Sequence, residues 1–126
     1  MTIGNHHILV VDDNEDILFM LKAMLQFNGY KVTISSTPEN IQSLIREHSP
    51  HIILMDMLLS GSDGREVCRK LKADPEFAAI PVIMISALPQ AREMCVEAGA
   101  DYFIAKPFEM NELFETVAIA VTAKMN

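Results

Sequence analysis

Apolar residues occur along this chain in five short runs, and longer segments separate the runs. The runs are Ile8–Val11, Val32–Ile34, Ile52–Met55, Val82–Ile85 and Tyr102–Ala105. All but the second are nearly continuous rather than alternating, which is typical of strands buried on both faces. The pattern therefore predicts five strands.

In the segments between the runs, apolar residues recur three and four positions apart, as on one face of a helix. Two clear stripes contain Ile17, Met20, Leu21, Met24 and Leu25, and Leu113, Phe114, Val117 and Val121. The residues that suit helix ends and first turns are Asn28-Gly29, Gly99, Pro38, Pro89 and Glu109. Strands alternating with helices predict an α/β fold of the (βα)5 type, with a parallel sheet and helices on both faces.

Polar side chains stand at the carboxyl ends of four of the five predicted strands. Asp12 and Asp13 follow the first strand and Asp56 ends the third, while Ser86 and Lys106 follow the fourth and fifth. In open α/β sheets the ligand crevice lies outside the carboxyl ends of the strands. We therefore expect three carboxylates, a hydroxyl and an ammonium group to converge at one edge.

This set of groups predicts a phosphoryl-accepting site. Three neighbouring carboxylates repel one another, and ligation by oxygen alone favours Mg²⁺, or Mn²⁺ in its place, over zinc or copper. A carboxylate can act as the nucleophile, an ammonium group can pair with a phosphoryl oxygen, and a hydroxyl can donate a hydrogen bond to another. The alternative is that the three aspartates only cap the helices and turns that follow them.

Length and charge exclude several other classes of protein. The chain has 126 residues, which is the length of one domain, and its net charge of −7 argues against binding a nucleic-acid backbone. No apolar run approaches the roughly 20 residues of a membrane helix, and Met1–His7 lacks a signal-peptide pattern. We therefore expect a cytoplasmic protein in which Cys68 and Cys95 are reduced, half-buried helix residues.

Five motifs resemble those of one family. They are Val10-Val11-Asp12-Asp13, Ile53-Leu54-Met55-Asp56, Asp63-Gly64, Ile85-Ser86-Ala87 and Ala105-Lys106-Pro107-Phe108. From about Asn5 to Lys124 the chain resembles the receiver domain of two-component response regulators. The resemblance implies a flavodoxin-like three-layer sandwich with strand order 2-1-3-4-5, as a single receiver domain without an output domain after the fifth helix.

The resemblance also implies a role for each residue at the predicted edge. Asp56 would be the phosphoacceptor, and Mg²⁺ would be bound by Asp12, Asp13, Asp56 and the backbone carbonyl of Leu58. Lys106 and Ser86 would act on the phosphoryl group. Ser86 and Phe103 would form the conformational switch, and the Lys106–Pro107 peptide bond would be cis.

By the same resemblance, the chain is a phosphorylation-dependent switch rather than a metabolic enzyme. It would take its phosphoryl group from a sensor histidine kinase or a histidine phosphotransfer protein, and catalyse only that transfer and its own dephosphorylation. The surface of the fourth helix, fifth strand and fifth helix would then change its affinity for a target, or for a second copy of the chain. No membrane or direct DNA binding is expected.

Three alternatives stay open at this stage. The chain could be the receiver fragment of a larger response regulator or hybrid kinase. An aspartate-based, Mg²⁺-dependent phosphohydrolase would need a second aspartate, as general acid and base, two residues after the nucleophile. That position holds Leu58, which argues against this class. A flavin-binding domain of this fold is disfavoured, because the acidic run Asp12–Glu15 would repel a phosphate monoester unless a metal intervened. A purely structural domain is disfavoured because none of the five key residues is missing.

Several positions depart from the family pattern. Ser60 replaces a common proline, which predicts a looser Leu58–Asp63 loop, and the Ser86–Gly99 stretch is about two residues short. Phe103 replaces the more usual tyrosine, so the switch would depend on packing alone. The apolar side chain of Leu58 stands beside the acceptor and predicts slow dephosphorylation.

Two further features have plain interpretations. His6-His7 is expected to be a solvated pair, and His48 and His51 to be partly exposed. Arg65, Arg69 and Lys72 recur at helical spacing and form a basic stripe, which predicts a solvated face or a docking site for an acidic partner.

Overall fold

The computed structural model describes residues 6–59 and 61–125, and its centre is a five-stranded parallel sheet. The strands are β1 (His7–Val11), β2 (Lys31–Ser35), β3 (Ile52–Asp56), β4 (Val82–Ser86) and β5 (Tyr102–Ala105). Their order is β2-β1-β3-β4-β5. This confirms the predicted flavodoxin-like topology, in which the third and fourth strands lie on the opposite side of β1 from β2.

Five helices cover the two faces of the sheet. They are α1 (Glu15–Phe27), α2 (Ile41–His48), α3 (Gly64–Ala73), α4 (Ala91–Glu97) and α5 (Met110–Met125). One buried cluster joins α1 and α5 to one face of the sheet, and a second joins α2, α3 and α4 to the other. Alternate residues of β1 and β3 enter the two clusters, which explains the continuous apolar runs Ile8–Val11 and Ile52–Met55.

Local signals set the ends of the helices. The Asn14 side chain accepts a hydrogen bond from the Ile17 N–H and so caps α1, and Gly29 beyond its end adopts a φ of 97°. Pro38 and Pro89 were expected in the first turns of helices, but α2 begins at Ile41 and α4 at Ala91. Each proline instead lies in the turn that precedes its helix.

A short hairpin between β3 and α3 was not predicted. Leu58–Leu59 pairs with Ser62–Asp63 in antiparallel register, and Gly61 at the turn has a φ of 74°. Each arm is only two residues long, too short for a periodic pattern. The expectation about Ser60 concerns a residue outside the described part of the chain.

The expectations for the cysteines and for the basic stripe were partly wrong. Cys68 and Cys95 are free thiols, as expected, but both are fully buried rather than half-buried. The three basic side chains on α3 already have partners within the chain: Arg65 pairs with Asp63, Arg69 with Glu66 and Lys72 with Asp101.

Lys72 is also bound to the backbone. Its ammonium group donates to the carbonyl oxygens of Ala78 and Ile80, and the carboxylate of Asp101 accepts the Val82 N–H. These contacts fasten the connection between α3 and β4 to the beginning of that strand.

The histidines also differ from expectation. His6 is buried rather than solvated, and its ring meets that of His51 edge-on. His48 and His51 are partly exposed, as predicted. Within the described residues, no helix combines the length and the apolar character needed to cross a membrane.

Candidate functional site

The carboxylate of Asp56 and the ammonium group of Lys106 meet at the carboxyl edge of the sheet. Lys106 Nζ lies 2.5 Å from Asp56 Oδ2 and 3.9 Å from Asp12 Oδ2. β3 ends at Asp56, whereas Asp12 and Lys106 directly follow β1 and β5. The parallel register therefore brings together three groups that are far apart in sequence.

Backbone contacts fix the position of Asp56. The Leu58 N–H donates to Asp56 Oδ1 at 2.9 Å, so each carboxylate oxygen has one donor. The Gly64 N–H donates to the carbonyl of Met57, which brings the beginning of α3 against the end of β3. A Cβ at Gly64 would lie 2.5 Å from the Asp56 carbonyl oxygen, so only glycine fits at this position.

Asp12 has a buried carboxylate that is only half satisfied. The residue is 2% exposed, and Oδ1 accepts the Asn14 N–H at 2.9 Å. Oδ2 is buried and has no hydrogen-bond partner within the described residues. Burial raises the pKa of Asp12 to about 6, and the neighbouring Asp56 carboxylate adds to the increase.

The residues present fit a hard divalent cation. The unsatisfied oxygen of Asp12 lies beside the Asp56 and Lys106 groups, and the two aspartates supply carboxylate oxygen atoms, which hard cations prefer. Asp13 is exposed. Within residues 6–59 and 61–125, no three His, Cys, Asp or Glu side chains are grouped so as to hold a metal ion. The roles of Asp13 and the Leu58 carbonyl as magnesium ligands stay predictions.

Ser86 lies on β4, the strand next to that of the acceptor, and Phe103 lies on β5, one strand further away. Within the described residues, no hydrogen bond joins the Ser86 side chain to Asp56. Ser86 is buried at the end of β4, and its Oγ accepts the Leu88 N–H at 3.1 Å. Phe103 is half-buried in β5, and the Arg92 guanidinium lies 5.1 Å from its ring centre. The Lys106–Pro107 peptide bond is cis.

Comparison with known proteins identifies the family. The sequence model of the response regulator receiver domain family matches residues 8–118, which is most of the chain. The chain belongs to the response regulator receiver domain family.

The relatives of this receiver domain include both regulators and kinases. It is 34% identical over 112 residues to the DNA-binding response regulator MtrA of Mycolicibacterium paratuberculosis, covering 87% of this chain and 48% of that protein. The chain thus spans about half the length of the curated relatives it matches.

Two solved structures resemble the receiver domain closely. The signal receiver domain of a signal transduction histidine kinase from Syntrophus aciditrophicus has 30% identity and a TM-score of 0.87, covering 94% of this chain and 92% of that one. The receiver domain of a sensor histidine kinase from Pseudomonas aeruginosa PAO1, with a magnesium ion coordinated in its active-site cleft, has 30% identity and a TM-score of 0.84, covering 94% and 98%.

Sequence reasoning missed two side-chain contacts, one between Arg65 and Asp63 and one between Arg92 and Phe103. Asp63 caps α3 by accepting a hydrogen bond from the Arg65 N–H, and the Arg65 guanidinium donates two hydrogen bonds to the same carboxylate. Arg92 carried no signal, because nothing in the sequence places its position on α4 over Phe103. The short spacing between Asp63 and Arg65 was the only available clue to the first pair.

Proposed function

We propose that this receiver domain accepts a phosphoryl group on Asp56 and uses it as a signal. The observation that carries the proposal is the Asp12, Asp56 and Lys106 cluster, because it combines a nucleophile with positive charge and an unsatisfied carboxylate oxygen. Receiver domains are signalling switches rather than metabolic enzymes, and phosphorylation-dependent signalling is the function of the family.

The proposed reaction is a displacement at phosphorus. An oxygen of the Asp56 carboxylate attacks, the bond from phosphorus to the donor's imidazole nitrogen breaks, and the bonding electrons stay on that nitrogen. The product is an acyl phosphate on Asp56. Lys106 then moves its ammonium group from the carboxylate to a phosphoryl oxygen, and the Ser86 hydroxyl donates to another.

A bound Mg²⁺ would neutralise negative charge on the transferring phosphoryl group. Asp12, Asp13, Asp56 and the Leu58 carbonyl would hold it. Two observations support magnesium binding at this edge: the buried unsatisfied oxygen of Asp12, and the magnesium ion in the cleft of the P. aeruginosa receiver domain.

The proposed donor is the phosphohistidine of a sensor histidine kinase or a histidine phosphotransfer protein. Receiver domains interact with histidine kinases, and the donor must approach Asp56 over the carboxyl edge of the sheet. Beside Lys106 that edge carries an open apolar groove of about 440 Å³ between α1 and the segment after β5. Met20, Pro107 and Phe108 are among its lining residues. A partner with an apolar helical surface would fit there.

Phosphorylation is proposed to act on the surface formed by α4, β5 and α5. Phe103 lies on β5, and the exposed apolar side chain of Ile119 on α5 offers a contact for a target or a second copy of the chain. Sedimentation of the phosphorylated and unmodified chain would measure self-association. Because the chain spans about half of its curated relatives, the target can also be an output domain of a longer protein.

Intact mass after incubation with a small phosphodonor, with and without Mg²⁺, tests the phosphorylation directly. We expect the wild type to gain one phosphoryl group only with Mg²⁺, and Asp56→Asn to gain none. Asp63→Asn is the matched control, because it removes a nearby carboxylate and keeps a side chain that caps α3. A wild-type chain that gains nothing, or a gain that persists in Asp56→Asn, would contradict the proposal.

A further inference from the structure

All four histidines of the chain lie together at the amino-terminal edge of the sheet, opposite the acceptor. His6 and His7 enter β1, His48 ends α2, and His51 precedes β3. The rings of His6 and His51 are 4.8 Å apart, and those of His7 and His48 are 5.6 Å apart. We name these four residues the histidine cluster.

The imidazole of His51 takes the place of a backbone carbonyl as a hydrogen-bond acceptor at the beginning of β1. The His51 N–H donates to the His7 carbonyl at 2.7 Å, and the His7 N–H donates in return to Nδ1 of the His51 ring at 3.0 Å. A backbone N–H can only donate, so His51 Nδ1 must carry no proton in this geometry. A proton at Nδ1 would set two donors against each other and break the contact.

The two imidazoles next to this contact, those of His6 and His7, are buried or partly buried. His6 is 8% exposed, and its Nδ1 has no hydrogen-bond partner in the part of the chain that the structure describes. The pKa of His7 lies below its ordinary value, first because of burial and then because of His48, His51 and Lys31.

Other elements supply the remaining polar and charged groups at this edge. Lys31 on β2 adds positive charge near His7, and the Thr33 hydroxyl lies 2.6 Å from His7 Nε2. Glu47 on α2 is an acidic group at this edge, and its carboxylate lies 3.2 Å from His48 Nε2. Among the described residues, no three His, Cys, Asp or Glu side chains are grouped so as to hold a metal ion.

We propose that the amino-terminal edge of the sheet is pH-sensitive, because the hydrogen bond from the His7 N–H to the His51 ring holds β1 and β3 together only while the imidazoles of His7 and His51 are neutral. Acidification would charge these rings, break the contact between His7 and His51, and open the edge. Because the unfolded chain takes up protons more readily than the folded one, stability is complete above the ordinary histidine pKa and is lost as the pH falls below it.

The test compares unfolding by urea at pH 7.5 and pH 5.5, in EDTA, for the wild type and His51→Asn. Asparagine keeps an oxygen acceptor near the position of Nδ1 but does not titrate. Asp12 also titrates in this range, and its contribution is common to both proteins and cancels. We expect the folding equilibrium constant of the wild type, relative to that of the variant, to fall severalfold between pH 7.5 and pH 5.5.

His48→Gln is the matched control, because it removes a histidine of the same cluster and leaves the hydrogen bond between His7 and His51 intact. It should keep most of the wild-type pH dependence. Equal pH dependence in the wild type and His51→Asn would overturn the proposal, and so would a loss of pH dependence in His48→Gln instead.

Proton NMR of the wild type decides the matter even if His51→Asn fails to fold. We expect the His7 ring to titrate below 6.5, and the exchange protection factor of the His7 amide to fall over the same pH range. A His7 amide that stays protected down to pH 5.5 would contradict the proposal. None of these measurements depends on phosphorylation of Asp56, so the two proposals fail separately.

Discussion

Gly64 approaches Asp56 so closely that a Cβ at Gly64 would lie 2.5 Å from the Asp56 carbonyl oxygen and 2.9 Å from that of Met57. Both neighbours are backbone atoms, one in the last residue of β3 and one in the residue after it, so they cannot move aside as the end of a flexible side chain would. The first residue of α3 therefore packs directly against the residue proposed to carry the phosphoryl group.

Gly64→Ala should therefore destabilise the fold and slow phosphorylation. Alanine in place of glycine favours a helix by about 1 kcal/mol, but overpacking of this kind costs about 1–3 kcal/mol. We expect a net loss of stability in urea unfolding and a lower rate of mass gain from a small phosphodonor. Gly61→Ala is the control, because a Cβ there meets nothing within 4 Å and only the positive φ is strained. A Gly64→Ala variant phosphorylated at the wild-type rate would contradict this.

Asp12→Asn should stabilise the metal-free protein at neutral pH. The folded-state pKa of about 6 lies above the ordinary 3.8, so the folded chain holds the proton more tightly and loses stability as the pH rises from about 4 to 6. Removing the charge should recover about 1–3 kcal/mol at pH 7. Urea unfolding of the wild type and Asp12→Asn in EDTA, at pH 4.5 and at pH 7, measures this difference in stability.

The same pair of proteins tests metal binding. Mg²⁺ should raise the unfolding midpoint of the wild type and leave that of Asp12→Asn almost unchanged. Because the chain has no tryptophan, titration calorimetry is a suitable direct measure of binding. Equal responses of the two proteins to Mg²⁺ would show that Asp12 is not a ligand.

Leu58→Asn should shorten the lifetime of the acyl phosphate. The Leu58 side chain is 52% exposed, and its N–H is bound to the acceptor carboxylate, so the apolar group stands where water must approach Asp56. Loss of the phosphoryl group over time, followed by intact mass, measures the lifetime. Ile119→Asn, which removes an exposed apolar side chain from α5, should leave it unchanged. An unaltered lifetime in Leu58→Asn would refute the role of this side chain.

Arg92→Met should weaken the packing of Phe103. The guanidinium lies over the ring at 5.1 Å, and such cation–π contacts at exposed sites contribute about 0.5–1 kcal/mol. Phe103 has no hydroxyl with which to form a hydrogen bond, so the guanidinium of Arg92 supplies a polar contact to its ring. A double-mutant cycle of Arg92→Met with Phe103→Leu, measured by urea unfolding, should give a coupling energy of that size, and Arg92→Lys should keep part of it. Strictly additive effects would mean that the two side chains do not interact.

Much of this architecture could be predicted from the chain because its signals are local. Continuous apolar runs mark buried parallel strands, and polar residues at their carboxyl ends converge on one edge in any parallel sheet. The proximity of Asp12, Asp56 and Lys106 follows from that rule alone.

The features that were missed depend on register and helix orientation. His51 reaches the His7 N–H only because it stands one position before β3, beside the first residue of β1. Arg92 lies over Phe103 only because of the way α4 is rotated on the sheet. No spacing within the sequence encodes either contact.

The position of Lys72 has a consequence for how other proteins encounter this domain. Its ammonium group lies 2.7 Å from the Asp101 carboxylate and also donates to the carbonyl oxygens of Ala78 and Ile80. The Lys72 side chain is only 19% exposed. A charge neutralised in this way contributes little to the long-range field that steers diffusional association. With a net charge of −7, the domain should repel acidic proteins even on the side of α3. The rate at which an acidic partner associates there should rise with added salt, not fall.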